Sequence, residues 1–130
     1  MTGQIKAVIA LIDDSPAMRA VFEKGTREFD VELVIFDSAT ASWEYLQNNR
    51  PDLLFLNIKM PGQDGLTFLK DLRHLPLHKD TRVVMISSKD YAQDRTVAGE
   101  LGALEFITKP TPIRVITDVV QKYLNVGSSR

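Results

Sequence analysis

Polar residues of the types that bind metal ions and phosphate follow four short apolar runs of this sequence. They are Asp13 and Asp14 after residues 7–12, Asn57 after 53–56, Ser87 and Ser88 after 82–86, and Lys109 after 104–107. Adjacent carboxylates repel each other, and a hard cation such as Mg²⁺, which prefers oxygen ligands, relieves that repulsion. Acidic cation ligands, a hydroxyl and a lysine ammonium together form the set of groups that stabilises phosphoryl transfer.

Each of these residues also has a plainer explanation when it is taken singly. An aspartate pair is typical of a solvated turn or of a helix cap. A serine commonly ends a strand, and a lysine commonly lies on the surface. The functional interpretation therefore depends on whether the fold brings these residues together.

The elements that must position them alternate regularly along the chain. Short apolar runs, typical of buried strands, lie at 7–12, 31–36, 53–56, 82–86 and 104–107, and amphipathic stretches that predict helices lie at 16–29, 39–48, 66–73, 90–101 and from 112 onward. This alternation predicts a doubly wound α/β three-layer sandwich, with a parallel five-stranded sheet in the order 2-1-3-4-5 and helices on both faces. Right-handed crossovers place the carboxyl ends of all the strands at one edge, so the polar residues are predicted to converge there.

Local signals indicate the ends and the inward faces of the predicted helices. Ser15 followed by Pro16 is a typical helix start, and Gly102 is a typical stop after a helix. Apolar residues at helical spacing are expected to face the core. They are Met18, Val21, Phe22 and Phe29 in the first helix, Trp43 and Leu46 in the second, and Ile113, Ile116, Val119, Val120 and Tyr123 in the last.

The composition limits the classes of protein that fit. A length of 130 residues suits one domain, predicted at 5–124, followed at 125–130 by a polar tail or the start of a linker. The net charge of −1 gives no drive toward nucleic acid or an anionic membrane, and no stretch is as apolar as a membrane span. The absence of cysteine excludes disulfides and sulfur metal sites, and fits the reducing cytoplasm in which we expect the protein.

Four motifs in this order resemble the receiver domain of two-component response regulators, the CheY-like family with a flavodoxin-like fold. The motifs are the Asp13-Asp14 pair, NIKMPGQDG at 57–65, Ser87-Ser88, and Phe106 with Lys109-Pro110. The resemblance covers residues 5–124. It implies a signalling module that is not an enzyme, either standing alone or as a piece of a longer regulator.

The resemblance also implies a role for each residue of these motifs. The expected Mg²⁺ ligands are Asp13, Asp14, Asn57 and the backbone carbonyl of Lys59; the expected phosphate pocket is Ser87, Ser88 and Lys109; the expected switch pair is Ser87 and Phe106. Phe106 would report activation to the face of the fourth helix, fifth strand and fifth helix. The residues expected to dock partners on that face are Val97, Glu100, Leu101, Phe106 and Val115.

The implied partners are proteins and not nucleic acid. A histidine kinase or a phosphotransfer protein would lie upstream and an effector protein downstream. Homodimerisation through the face of the fourth helix, fifth strand and fifth helix is a tendency of the family.

The chain departs from the family pattern at Asn57, where the family has an aspartate that accepts the phosphoryl group. A carboxamide is a poor nucleophile because its lone pairs are delocalised and it carries no charge. Phosphorylation at this position is therefore expected to fail. The amide oxygen can still bind a cation, so Mg²⁺ binding is expected to be weakened and not abolished.

Several explanations of Asn57 stay open at this point. The residue is natural in a phosphorylation-independent pseudo-receiver, or an aspartate was replaced by its near-isostere in an ordinary receiver. Deamidation to aspartate is disfavoured because Ile58 is bulky. Functions of another class are a small Mg²⁺-dependent phosphotransferase or phosphatase that uses Asp13 or Asp14, and a flavodoxin-type cofactor carrier, which the same acidic pair disfavours by repelling phosphate.

Overall fold

The structure, a computed structural model, describes residues 6–124 of the chain. The strands are β1 (Ala7–Ile12), β2 (Val31–Phe36), β3 (Leu53–Asn57), β4 (Val83–Ser87) and β5 (Glu105–Thr108). The helices are α1 (Pro16–Thr26), α2 (Ala39–Asn48), α3 (Gly65–Arg73), α4 (Ala92–Glu100) and α5 (Ile113–Leu124), with a 3-10 turn at Pro76–His78. The predicted tail at 125–130 and the first residue of the predicted domain lie outside the described residues.

The predicted sheet is confirmed. Its order is β2-β1-β3-β4-β5, and all neighbouring strands are parallel. All the residues of β3 and β4 are buried, because helices cover both faces of the sheet. This burial explains why both strands appear in the sequence as continuous apolar runs without alternation.

Side chains that alternate along each strand divide the core into two layers. Leu54 and Leu56 of β3 belong to the layer under α2 and α3, where Trp43 meets Phe68 edge-on at 5.5 Å between ring centroids. Phe55 belongs to the opposite layer and meets Phe22 of α1 edge-on at 4.7 Å. Aromatic pairs in this geometry add to the stabilisation that burial supplies.

Most of the predicted inward residues are confirmed. Buried residues are Met18, Phe22, Phe29, Leu46, Ile116, Val119 and Val120, and half-buried residues that pack against the core are Val21, Trp43 and Tyr123. The prediction for Ile113 is wrong, since this residue is 39% exposed. It occupies the first turn of α5, where its Cγ2 lies near Gly25 of α1 beside Ile116. The side chain is therefore on the predicted face but at the exposed rim of the contact between the two helices.

Several helix bounds also differ from prediction. Ser15 is the N-cap of α1 as predicted, and its Oγ accepts a hydrogen bond from the Met18 N–H at 3.3 Å. The helix ends at Thr26 and not near Phe29, which is held by a backbone turn in which its N–H donates to the Thr26 carbonyl. The third helix begins one residue earlier than predicted, and the fourth runs over 92–100 instead of 90–101. No helix within residues 6–124 has both the length and the apolar character needed to cross a membrane.

A polar cluster joins the helices at the end of the sheet away from the predicted site. Arg73 at the end of α3 donates to the carbonyls of Leu101 (2.9 Å), His78 (2.8 Å) and Thr81 (2.8 Å). Buried His78 lies between the Leu46 carbonyl and the Thr81 hydroxyl. Because a carbonyl can only accept, Nε2 carries the proton toward Leu46, and Nδ1 accepts from Thr81.

The environment of His78 favours the neutral ring. Burial lowers the pKa of His78 below its usual value and outweighs the hydrogen bond to the Leu46 carbonyl, which raises it; the charges of Arg50 and Arg73 act in the same direction as burial. Protonation of Nδ1 would reverse its hydrogen bond with the Thr81 hydroxyl, which can accept as well as donate, so the cost of protonation comes from burying the charge. Protonation of His78 therefore opposes folding.

We predict that this histidine makes stability depend on pH. Because its folded-state pKa lies below the unfolded value of about 6.5, its contribution is present above about pH 6.5 and is lost as the pH falls through the folded-state pKa. The urea midpoint should fall between about pH 7 and about pH 5 more steeply in the wild type than in His78→Gln. Gln can still donate to the Leu46 carbonyl. The matched control is His74→Gln at the exposed histidine, which should keep the wild-type slope; equal slopes in all three proteins would contradict the prediction.

Candidate functional site

The parallel sheet brings the predicted polar residues to one edge. Asn57 and Ser87 are the last residues of β3 and β4, while Asp13 and Lys109 directly follow β1 and β5. The carboxyl ends of β3, β4 and β5 lie side by side, since Asn57 pairs with Ile86 and Ser87 pairs with Thr108. The predicted convergence is therefore seen at the level of the backbone, and for Asp13 and Lys109 also at the level of side-chain contact.

The carboxylate of Asp13 is fully buried and is paired with Lys109. The Lys109 Nζ lies 2.9 Å from Oδ2 and donates a hydrogen bond to Oδ1 at 3.2 Å. Oδ1 also accepts from the Ser15 N–H at 2.9 Å, which fixes the carboxylate at the start of α1. Oδ2 makes no hydrogen bond of standard geometry within residues 6–124, and its contact with the described residues is the ion pair with the Lys109 ammonium.

Asn57 is 3% exposed and makes a specific hydrogen bond at the end of β3. Its Nδ2 donates to the backbone carbonyl of Lys59 at 2.8 Å. Since a carbonyl cannot donate, the atom that faces Lys59 must be the amide nitrogen and not the amide oxygen. A carboxylate at this position could not make the same contact, because it has no proton to donate when ionised.

The acidic pair is divided between two environments. Asp13 is buried, whereas the adjacent Asp14 is exposed. Within the described part of the chain, no group of three or more His, Cys, Asp or Glu side chains is placed to hold a metal ion. A cation at this edge would therefore depend on two carboxylates together with amide and backbone oxygens.

The residues after β4 form a short hydrogen-bonded loop. Ser87 is buried, and its Oγ accepts from the Lys89 N–H at 3.0 Å. The hydroxyl proton is not used by this bond and is available to an acceptor beside the sheet edge. Ser88, by contrast, is exposed.

Phe106 lies on β5 beside Met85 and is half-buried. The Arg95 guanidinium carbon stands 4.7 Å from the centroid of this ring, a cation–π distance. Arg95 Nε also donates to Asp90, and this hydrogen bond lowers the pKa of the Asp90 carboxyl. Sequence reasoning missed both Arg95 and Asp90, because Asp90 precedes α4 and the pair has no helical spacing that a pattern could reveal.

Gly65 controls how closely the loop after β3 approaches the strand. Its N–H donates to the Ile58 carbonyl at 2.6 Å, and a Cβ atom at this position would lie 2.2 Å from the Asn57 carbonyl oxygen. No side chain fits there without moving the backbone of the site. Gly65 is thus required at the site, a role that its place in the motif at 57–65 did not reveal.

Comparisons with known proteins agree with this geometry. A family model described as the response regulator receiver domain matches residues 9–121. The chain is 33% identical over 106 residues to the cyclic di-GMP phosphodiesterase response regulator RpfG of Xanthomonas campestris pv. campestris, covering 78% of this chain and 28% of that protein. It likewise spans less than half of the length of several other relatives.

Two further likenesses extend over nearly the whole of both chains. Sporulation initiation phosphotransferase F of Bacillus subtilis is 27% identical over 121 residues, covering 93% of this chain and 96% of that protein. The solved structure of the Mn²⁺-bound response regulator Rcp1 superposes with a TM-score of 0.82 at 23% identity, covering 95% and 99% of the two chains. The structural likeness supports the fold.

We predict opposite effects for two glycine substitutions. Gly65→Ala should lower the free energy of unfolding by about 1–3 kcal/mol, because the methyl group overpacks against the Asn57 carbonyl. Gly99→Ala, in α4 where a Cβ meets nothing within 4 Å, should be neutral or stabilising by up to about 1 kcal/mol. Urea unfolding of both variants checks this, and a loss of stability at Gly99 as large as at Gly65 would count against the close approach.

Proposed function

We propose, from the premise that this chain belongs to the response regulator receiver domain family, that it is a receiver whose phosphoacceptor position is Asn57. Receiver domains are in general signalling modules without enzymatic activity of their own. We infer that this one acts by docking to other proteins and does not accept phosphate at Asn57. The observation that carries the proposal is the hydrogen bond from Asn57 Nδ2 to the Lys59 carbonyl.

The chemistry of the amide explains the loss of phosphotransfer. Attack on phosphorus requires an oxygen with an available lone pair and, preferably, a negative charge. The amide of Asn57 lacks the charge, and its nitrogen is already turned toward the Lys59 carbonyl. Asn57 is thus suited to hold the loop after β3 and unsuited to act as a nucleophile.

The remaining residues of the pocket fit a divalent cation in part. We assign Asp13, Asp14, the Asn57 amide oxygen and the Lys59 carbonyl as the groups that would hold Mg²⁺. Asp13 Oδ2 supports this, because it is ion-paired with Lys109 but makes no hydrogen bond within the described residues. When bound, the cation would supply electrostatic stabilisation of phosphoryl oxygens. Ser87, Ser88 and Lys109 are the proposed phosphate contacts.

Two internal donors already do part of what a cation would do. The Lys109 ammonium offsets the buried charge of Asp13, and the Asn57 amide satisfies the Lys59 carbonyl. A cation that uses both oxygens must compete with these contacts and meets one negative charge fewer than with an aspartate at position 57. Weakened Mg²⁺ binding follows from both effects.

The proposed docking surface is the face of α4, β5 and α5. Val97, Leu101 and Val115 are half-buried and Glu100 is exposed. Val97, Glu100 and Leu101 line a groove between α4 and α3. Ser87 and Phe106 form the proposed switch pair. We propose a histidine kinase or phosphotransfer protein and a downstream effector as partners in the cytoplasm, with this face also available for homodimerisation.

We predict that the wild-type protein stays unphosphorylated at the site when it is incubated with acetyl phosphate and Mg²⁺. Asn57→Asp should gain about 80 Da, the mass of HPO₃, in an adduct that base removes as it does an acyl phosphate. Intact mass spectrometry measures both. The matched control is Asn49→Asp at an exposed asparagine outside the pocket, which should gain nothing. A base-labile adduct on the wild type would refute the proposal, and failure of Asn57→Asp would show that the pocket is defective elsewhere.

We predict that Asn57→Asp also binds Mg²⁺ at least about ten-fold more tightly than the wild type. A unit negative charge about 4 Å from a divalent cation contributes about 8 kcal/mol at an effective dielectric constant of about 20, of which desolvation leaves a fraction. The dependence of the melting temperature on MgCl₂ concentration gives both affinities. Sodium chloride of equal ionic strength controls for screening. Equal affinities in the two proteins would contradict the assigned ligands.

A further inference from the structure

The fourth helix is attached to the protein differently from the third. Among its described residues α4 buries Ala98, whereas α3 buries Phe68, Leu69 and Leu72. The N-cap of α3 is Asp64, whose side chain accepts from the Thr67 N–H; in the described structure Tyr91, the N-cap of α4, makes no such bond. Because a nine-residue helix is not stable alone, the position of α4 depends on a few contacts from outside it.

Two arginines supply polar contacts at the two ends of α4. At its carboxyl end, Arg73 of α3 donates to the carbonyls of Leu101 and Gly102 at 2.9 and 3.4 Å. In its first half, Arg95 donates to Asp90 and covers the ring of Phe106. The first contact is backbone capping by a half-buried side chain, whereas the second joins two exposed side chains and one ring.

The contact at Arg95 is also connected to the candidate site. Asp90 belongs to the loop that begins at Ser87, and in that loop the Lys89 N–H donates to the Ser87 Oγ. Phe106 pairs in the sheet with Met85, two residues before Ser87. Arg95 is thus the side chain of α4 that contacts both the loop leaving the site and the aromatic ring of β5.

We propose that Arg95 is a positioning residue that fixes the first half of α4 to Phe106 and couples this helix to the loop after Ser87. We name Asp90, Arg95 and Phe106 the Arg95 clamp. Displacement of the Ser87–Asp90 loop withdraws Asp90 from Arg95, weakens the cover over Phe106 and releases the first half of α4. The clamp itself requires no phosphate at Asn57, and it rests on the proposed function only in that Phe106 belongs to the proposed docking surface.

The strength of the clamp suits a reversible contact. An ion pair between exposed side chains stabilises a protein little in water. A cation–π contact at an exposed site changes an equilibrium constant only a few-fold. Breaking the clamp should therefore change how often α4 opens without unfolding the domain. Native-state hydrogen exchange measures such local opening.

The experiment compares Arg95→Gln with the wild type by amide hydrogen exchange of residues 95–98. Arg95→Gln should raise their exchange about two- to five-fold, the factor that an exposed cation–π contact is worth. Amides of β3 should keep their wild-type exchange. The matched control is Arg114→Gln on α5, which removes an equally charged side chain that pairs with Asp118 at i,i+4 and is 90% exposed. It should leave α4 unchanged.

Two further variants separate coupling from a local structural effect. Asp90→Asn and Phe106→Leu should each raise hydrogen exchange in α4. When either is combined with Arg95→Gln, the fold-increase in exchange should be smaller than the product of the two single-variant fold-increases. The Lys89 amide resonance should shift in Arg95→Gln, as coupling to the loop at Ser87 requires. Unchanged exchange in Arg95→Gln, multiplicative effects in the double variants, or an unmoved Lys89 resonance would each overturn the clamp. All these variants keep Asn57, and the measurements use no phosphate. A negative result for the clamp can therefore be distinguished from failure of the proposed function.

Discussion

The buried carboxylate of Asp13 is the interaction on which the rest of the candidate site depends. An ionised carboxylate without a partner is costly inside a protein, so the fold must supply donors for it. Here the donors are the Lys109 ammonium and the Ser15 N–H. Lys109 is 96 residues away in the sequence, and it reaches Asp13 because β1 and β5 both end at the same edge of the parallel sheet. The order of the strands in the sheet is therefore what allows the charge of Asp13 to be paired.

The same balance of charge explains how an amide is accommodated at position 57. With an aspartate there, the pocket would hold three carboxylates and Lys109, a set that is relieved by a cation. With Asn57, one charge is absent and the amide nitrogen satisfies the Lys59 carbonyl. The pocket is then held together by its own donors, with the Lys109 ammonium 2.9 Å from Asp13 Oδ2. Asp13 and Lys109 also support each other structurally, since removing either would leave the other charge without its partner.

The features that the sequence could predict are those that follow from short patterns of residue types along the chain. The sheet order and the convergence of Asn57, Ser87 and Lys109 depend on apolar runs and right-handed crossovers, which the sequence displays directly. The contacts of Asn57 with Lys59 and of Arg95 with Phe106 depend on side-chain directions that are settled only by tertiary packing. The exposure of Ile113 shows the same limit, because helical spacing identifies an apolar face but not where along the helix its neighbour ends.

The contacts around Asp13 and Asn57 differ from those around Arg95 in how easily they are broken. The site around Asp13 and Asn57 is buried and satisfied internally, so it resists small changes in its surroundings. The first half of α4 is held by exposed polar contacts that exchange readily with water or with another protein. A partner that offers a better acceptor to Arg95 than Asp90 does would shift this helix by its differential affinity for the two positions. Under the proposed function, in which Asn57 stands at the phosphoacceptor position, such docking would supply free energy that phosphorylation would otherwise provide.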